Sequence, residues 1–214
     1  MPPEENESLI ETSNHKIPIE SLYSILQSSP NGMEMTQRRI RRELDDMNVI
    51  PPPLKCPAWL CCILPCLLKT KDMQYFNECS AEYAEVKIDN KWVKIDPVGV
   101  LTGDVVRVTE GNRVPADLRV ISVIGEECKF VPTCITGTST PRSCRPELFT
   151  NSYRNSPNMA FAGFMCTEGE CIGIVIATGR NTLLGRMIEM NEWPPALVDD
   201  SAVHERDIRL NSFV

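Results

Sequence analysis

Gly103-Asp104-Val105-Val106-Arg107-Val108, followed through Gly111 by Val114-Pro115-Ala116-Asp117-Leu118-Arg119, decides how this chain folds. Val105, Val106 and Val108 are β-branched side chains that suit a pleated surface, and Glu110-Gly111-Asn112 closes the run with turn chemistry. A further strand is predicted from Leu118 to Ile124. On the amino-terminal side, residues 82–88 and 92–95 alternate with period two around Asp89-Asn90-Lys91, the pattern of a hairpin. On the carboxy-terminal side, Ile172, Ile174 and Ile176 interleave with Gly173, Val175 and Ala177. That run is apolar on both faces, as expected of a buried strand. Gly179 breaks it, and Leu183, Leu184, Met187 and Ile188 then predict a short helix. The fold class is therefore α+β and mainly β, with a β domain over 81–190 and short helices at both ends.

Upstream the period changes. Ile19, Leu22, Tyr23 and Leu26 predict a short amphipathic helix, ended at Ser28-Ser29-Pro30-Asn31-Gly32. A second helix carries Ile40, Leu44 and Met47 on one stripe, with Arg38, Arg39, Arg41 and Arg42 mostly outside it, read as a solvated basic face. The organisation expected is a disordered tail (1–17), a helix pair (18–50), a Pro/Cys-rich apolar connector (51–80), the β domain (81–190) and a mobile tail (191–214).

Composition narrows the function. The 214 residues carry a net charge of −7, and no basic stripe with interleaved aromatics occurs, which excludes a general nucleic-acid binder. The acidic, polar start lacks a secretory pattern, so a reducing cytosolic setting is expected, with the ten cysteines mostly as thiols. Four of them, Cys56, Cys61, Cys62 and Cys66, lie among Trp59, Leu60, Ile63, Leu64, Leu67 and Leu68, flanked by Lys55, Lys69 and Lys71. Pro57 and Pro65 interrupt this stretch, which is also shorter than the ~20 residues of a spanning helix. Reversible S-acylation is favoured there, ahead of buried structural thiols. Zinc is a distant third, because no C-x₂-C occurs and the only histidines are His15 and His204. Neither a phosphate-binding Gly-rich loop nor a redox spacing is present, so no cofactor and no metal are expected.

The motifs in order resemble those of P-type cation-transporting ATPases. Gly103-Asp104 through Pro115, Ala116, Asp117 and Arg119 is similar to that family's GD-x-V-x-V…P-A-D-x-R signature. Thr136, Gly137, Thr138 and Ser139 resemble its T-G-E-S loop. Asn158-Met159-Ala160-Phe161, Glu168-Gly169, Thr178-Gly179 and Gly185-Arg186 follow in the family's order. The resemblance covers most of 18–190 and implies an actuator domain, a distorted β jelly roll, at 81–190. Gly103, Asp104, Pro115, Ala116, Asp117, Arg119, Gly179 and Gly185 are then structural motif positions.

It also implies what is altered. In the family the T-G-E-S glutamate orients the water that hydrolyses a phospho-aspartate, and here position 138 is Thr. Losing a positioned base typically removes ~10²–10⁴-fold in rate. The usual D-x-S reads Val131-Pro132-Thr133, the usual T-G-D reads Thr178-Gly179-Arg180, and no D-K-T-G-T phosphorylation motif occurs. The expectation is a non-catalytic pseudo-actuator, not an enzyme. It would sit peripherally on the cytosolic face of a membrane and bind a protein partner such as a cation pump. The alternative is a truncated product, or part, of a cation pump.

Overall fold

The computed structural model describes residues 14–53 and 70–196, so Cys56, Cys61, Cys62 and Cys66 lie outside the described residues. The hairpin forms as predicted. β1 (Ala84–Ile88) and β2 (Lys91–Ile95) pair antiparallel with Ile88 opposite Lys91. The turn between them holds Asp89 and Asn90 at φ 48° and 63°, the positive angles that match a two-residue turn to strand twist.

β1 continues onto β3 (Val105–Thr109), which pairs with β7 (Met165–Ala177). β7 in turn pairs with β4 (Asp117–Val131). Two short strands, β5 (Arg142–Ser143) and β6 (Met159–Ala160), both add to β4. The order is β2-β1-β3-β7-β4-β5, and every ladder between these strands is antiparallel. A mostly antiparallel sheet with few short helices is the α+β, mainly β class expected. β4 runs past the predicted end at Ile124. The ladder to β7 breaks between Ile124 and Lys129, and polar Gly125-Glu126-Glu127 in the gap hides the continuation from a period-two reading.

The core joins Val106, Leu118, Val120, Ile174 and Val175 from the central strands to Phe130, Phe161 and Phe164. Phe161 and Phe164 meet edge to face at 5.5 Å. Cys128, Cys166 and Cys171 are buried within it. α4 (Thr133–Thr136) follows β4, and α5 (Leu183–Glu189) packs Leu183, Leu184, Met187 and Ile188 inward, as the sequence predicts.

Of the two amino-terminal helices, the first packs its predicted stripe inward and the second docks the other way round from the expectation. α1 (Ile19–Ile25) buries Leu22, but α2 (Met35–Leu44) stops before Met47 and buries no apolar side chain. Ile40, Leu44 and Met47 are 58%, 79% and 63% exposed. Arg38 and Arg41 face the domain instead, while Arg39 and Arg42 are exposed as expected. Arg38 forms a two-pronged ion pair with Asp104, Nε to Oδ1 at 2.9 Å and Nη2 to Oδ2 at 2.8 Å. Arg41 donates to the carbonyls of Leu26 and Thr102. The physical reason is that Asp104 is fully buried, and a buried carboxylate needs a cation more than an apolar stripe needs cover.

Three boundaries also differ. Asn14 and His15 are buried, with His15 Nε2 3.0 Å from the Thr150 carbonyl, so the expected tail through residue 17 does not include them. α3 (Lys71–Cys79), inside the expected connector, is capped by Thr70 and buries Met73 and Cys79. Trp193, inside the expected carboxy-terminal tail, is buried, stacked on Tyr75 at 5.4 Å.

Candidate functional site

The predicted residues fall into a turn and the scaffold behind it. The turn is Thr136-Gly137-Thr138-Ser139, at the end of α4. Gly137 caps that helix in the left-handed conformation, φ 74°, its N–H donating to the Thr133 carbonyl. The hydroxyls of Thr136 and Thr138 lie 2.8 Å apart, and the Thr133 hydroxyl donates to the Thr138 carbonyl at 3.1 Å. Thr136 Oγ1 also reaches the Pro132 carbonyl at 3.2 Å. The altered Val131-Pro132-Thr133 stretch therefore supplies internal partners to the turn. Ser139 is exposed at its tip. This turn holds hydroxyls and backbone groups, and position 138 offers no carboxylate to take a proton from water at neutral pH.

The remaining motif residues hold the scaffold together. Asp117, fully buried, accepts from the Ala162 N–H at 2.9 Å and the Leu183 N–H at 2.7 Å. One carboxylate thus ties β4 to the segment before β7 and to the first turn of α5. Pro115 lends its carbonyl to the Asn48 side chain at 2.9 Å, and Ala116 is fully buried. Arg119 is buried and donates to the carbonyls of Val120 and Pro146, and desolvation lowers its pKa. Gly103 has φ 87°, and a Cβ there would lie 2.5 Å from Arg41 Nη1 and 2.8 Å from the Leu26 carbonyl. Gly is what lets the helix pair seat. A Cβ on Gly185 would lie 2.6 Å from the Gly179 carbonyl, so those two motif glycines pack backbone to backbone.

Sequence reasoning missed the residues that join these parts. Asn48 donates to the carbonyls of Pro97 and Pro115 and accepts from the Gly179 N–H, linking the helix pair to the Thr178-Gly179-Arg180 turn. A lone Asn after a helix gives no such signal. Thr182 is different: its hydroxyl caps α5 by accepting from Gly185 N–H at 3.0 Å, a helix start readable from Thr before an apolar run. Arg38 was seen but assigned to solvent. Arg180 is exposed, away from Thr138's hydrogen bonds.

Comparisons with known proteins agree with this arrangement. The family model for the P-type ATPase actuator domain matches residues 78–192. The sodium/potassium-transporting ATPase subunit alpha-1 of Catostomus commersonii is 33% identical over 141 residues, covering 63% of this chain and 14% of that protein. The alpha-2 subunit of Homo sapiens is 38% identical over 118 residues, covering 55% and 11%. A solved zinc-transporting PIB-type ATPase in the E2.Pi state is similar over 59% of this chain and 19% of its own, at 19% identity and a TM-score of 0.44. The chain therefore spans less than a fifth of the length of each of these proteins. A model match over more than half of the sequence coincides with the sheet, the turn and the buried Asp117 latch, and this chain belongs to the P-type ATPase family through its actuator domain.

Proposed function

We propose that this chain works as a non-catalytic pseudo-actuator, a binding, regulatory or scaffold module on the cytosolic face of a membrane, with a cation pump or another membrane protein as its partner. The observation that carries this reading is Thr138. The actuator scaffold around it is fully built, with Asp117, Gly103 and Gly185 each in a role that only those residues fit, yet the turn ends in a hydroxyl bonded to Thr136. A fold maintained without the carboxylate its chemistry requires supports a use in recognition. The exposed apolar row of Ile40, Leu44 and Met47 on α2 and beyond supports the same reading, since it faces away from the domain. Among the described residues no helix is long and apolar enough to cross a membrane, so attachment would rest on acylation of Cys56, Cys61, Cys62 or Cys66. The test is hydrolysis of ATP and acetyl phosphate by the purified chain. None above background is expected, and turnover abolished by Thr138→Ala would overturn the reading.

A second reading is a piece of a cation pump, favoured by similarity to sodium/potassium pumps that reaches 141 residues. Sequencing the native transcript separates the two. Continuation into a further membrane helix and a D-K-T-G-T motif supports the pump, and a stop codon after Val214 supports the module.

A further inference from the structure

Three stretches distant in sequence meet beside the candidate turn. Tyr75 and Phe76 of α3 pack on Trp193, stacked at 5.4 Å and edge to face at 6.0 Å. The Trp193 indole N–H donates to the Cys134 carbonyl at 2.9 Å. Cys79, the last residue of α3, and Cys134, in α4, are both buried and line one cleft of about 280 Å³ with Tyr75, Arg113, Thr133 and Met165. Gly163 makes room for them. A Cβ there would lie 3.0 Å from Cys134 Sγ and 3.2 Å from the Cys79 carbonyl.

We propose that Cys79 and Cys134 are a peroxide-reactive dithiol, whose disulfide fastens α3 to the helix that carries the Thr136–Ser139 turn. The two thiols are unequal partners. The Cys134 S–H points at the Ala162 carbonyl, 3.7 Å away, and Cys134 beside it, with the positive charge of Arg113, holds the Cys79 thiol below its ordinary value against the opposing effect of burial. The neighbouring Cys79, with burial, pushes Cys134 up. Cys79 is thus the nucleophile and Cys134 the resolving thiol.

In the first step the Cys79 thiolate attacks one peroxide oxygen. The O–O bond breaks, an S–O bond forms, and the departing hydroxide takes a proton to become water. In the second step Cys134 sulfur attacks the sulfenic acid, the S–O bond breaks, and a second water leaves with the Cys134 proton. Two thiols lose two electrons in all, and one peroxide becomes two waters.

The cleft matters for selectivity. Cys128 and Cys166 lie only 3.9 Å apart, Sγ to Sγ, but are enclosed in the sheet. The bond from Cys166 lowers Cys128, yet the neighbouring Cys171 and burial outweigh that and carry it to about 12. The bond to Cys128 and burial push Cys166 up as well. Closeness without a thiolate does not react.

The experiment uses the full chain with limiting hydrogen peroxide, N-ethylmaleimide to block remaining thiols, and non-reducing peptide mass mapping. A Cys79–Cys134 cross-linked peptide is expected, forming about tenfold faster than any Cys128–Cys166 link. In Cys134→Ser, Cys79 accumulates as a dimedone-trapped sulfenic acid, and Arg113→Gln slows oxidation. Amide exchange across 133–139 slows in the oxidised wild type. Cys79 and Cys134 both recovered as maleimide adducts after Cys128 and Cys166 have linked would overturn the proposal, as would Cys79 oxidised with any partner other than Cys134.

Discussion

Replacing Arg38 with Met keeps the apolar stem of the side chain and removes both prongs of its pair with Asp104. The lost bonds are Nε to Oδ1 at 2.9 Å, Nη2 to Oδ2 at 2.8 Å and Nη2 to the Gly99 carbonyl at 2.9 Å. Arg38 is 11% exposed and Asp104 0%, so water cannot take over the carboxylate, whose only other donor among the described residues is the Leu101 N–H. Removing one partner of a buried pair costs about 3–5 kcal/mol. At ~2–4 °C per kcal/mol for a domain of this size, the melting temperature should fall by about 6–20 °C at pH 7. The loss should shrink on acidification. Burial raises the Asp104 pKa above its ordinary value, while the hydrogen bond and charge of Arg38 pull it back. The folded state therefore holds this proton more tightly than the unfolded chain, and the group's contribution falls as pH rises through that window. Without Arg38 the window extends further upward, and a protonated, neutral Asp104 is cheaper to bury. Thermal melts of wild type and Arg38→Met from pH 7 down toward the ordinary carboxylate range, with Arg38→Met/Asp104→Asn as a control expected to regain part of the loss, measure both effects. A drop under about 2 °C, less than one kcal/mol on the same scale, or a gap that widens on acidification, would refute the reasoning.

Val106→Asp and Ile174→Asp each bury an unpaired carboxylate in the central strands, where both side chains are buried. A cost of several kcal/mol is expected, and soluble variants with unshifted melts would contradict the strand assignment. Replacing Cys56, Cys61, Cys62 and Cys66 together by Ser should release the protein from membranes while its melt stays put, and hydroxylamine should do the same to the wild type. A four-Ser variant that stays with the membrane fraction would assign the anchor to a protein partner or to the apolar segment itself.

The strands were legible because their signals are local. Period-two alternation, the Asp89-Asn90 turn and the apolar run at 172–177 each need only neighbouring residues to be read. The motif order was legible for the same reason, as was Thr138. What escaped depends on distant partners. Nothing near Arg38 announces that Asp104, sixty-six positions later, will be buried and in need of a cation, so an arginine-rich helix with an apolar stripe reads with the wrong face inward. Trp193 has no periodic context, yet it closes the site by stacking on Tyr75 and bonding Cys134. His15 likewise reaches Thr150 across the fold. Asn48 is the fullest case, with three partners from three segments and no pattern around it. The scaffold latches Asp117, Gly103 and Gly185 were recognisable as motif members, but their work, bridging two backbone N–H groups or yielding space for a carbonyl, needed geometry to be seen.

The actuator scaffold is built here with Thr at position 138, where the carboxylate that would activate water is expected. The most direct measurement places residues 78–192 in place of the actuator domain of a sodium/potassium-transporting ATPase alpha subunit and follows decay of the phosphorylated intermediate formed from ATP. With Thr138 the intermediate should persist, decaying ~10²–10⁴-fold more slowly than in the parent pump, and Thr138→Glu in the same chimera should restore most of that rate. Decay at the parent's rate with Thr138 in place, or no gain from the glutamate, would contradict the account.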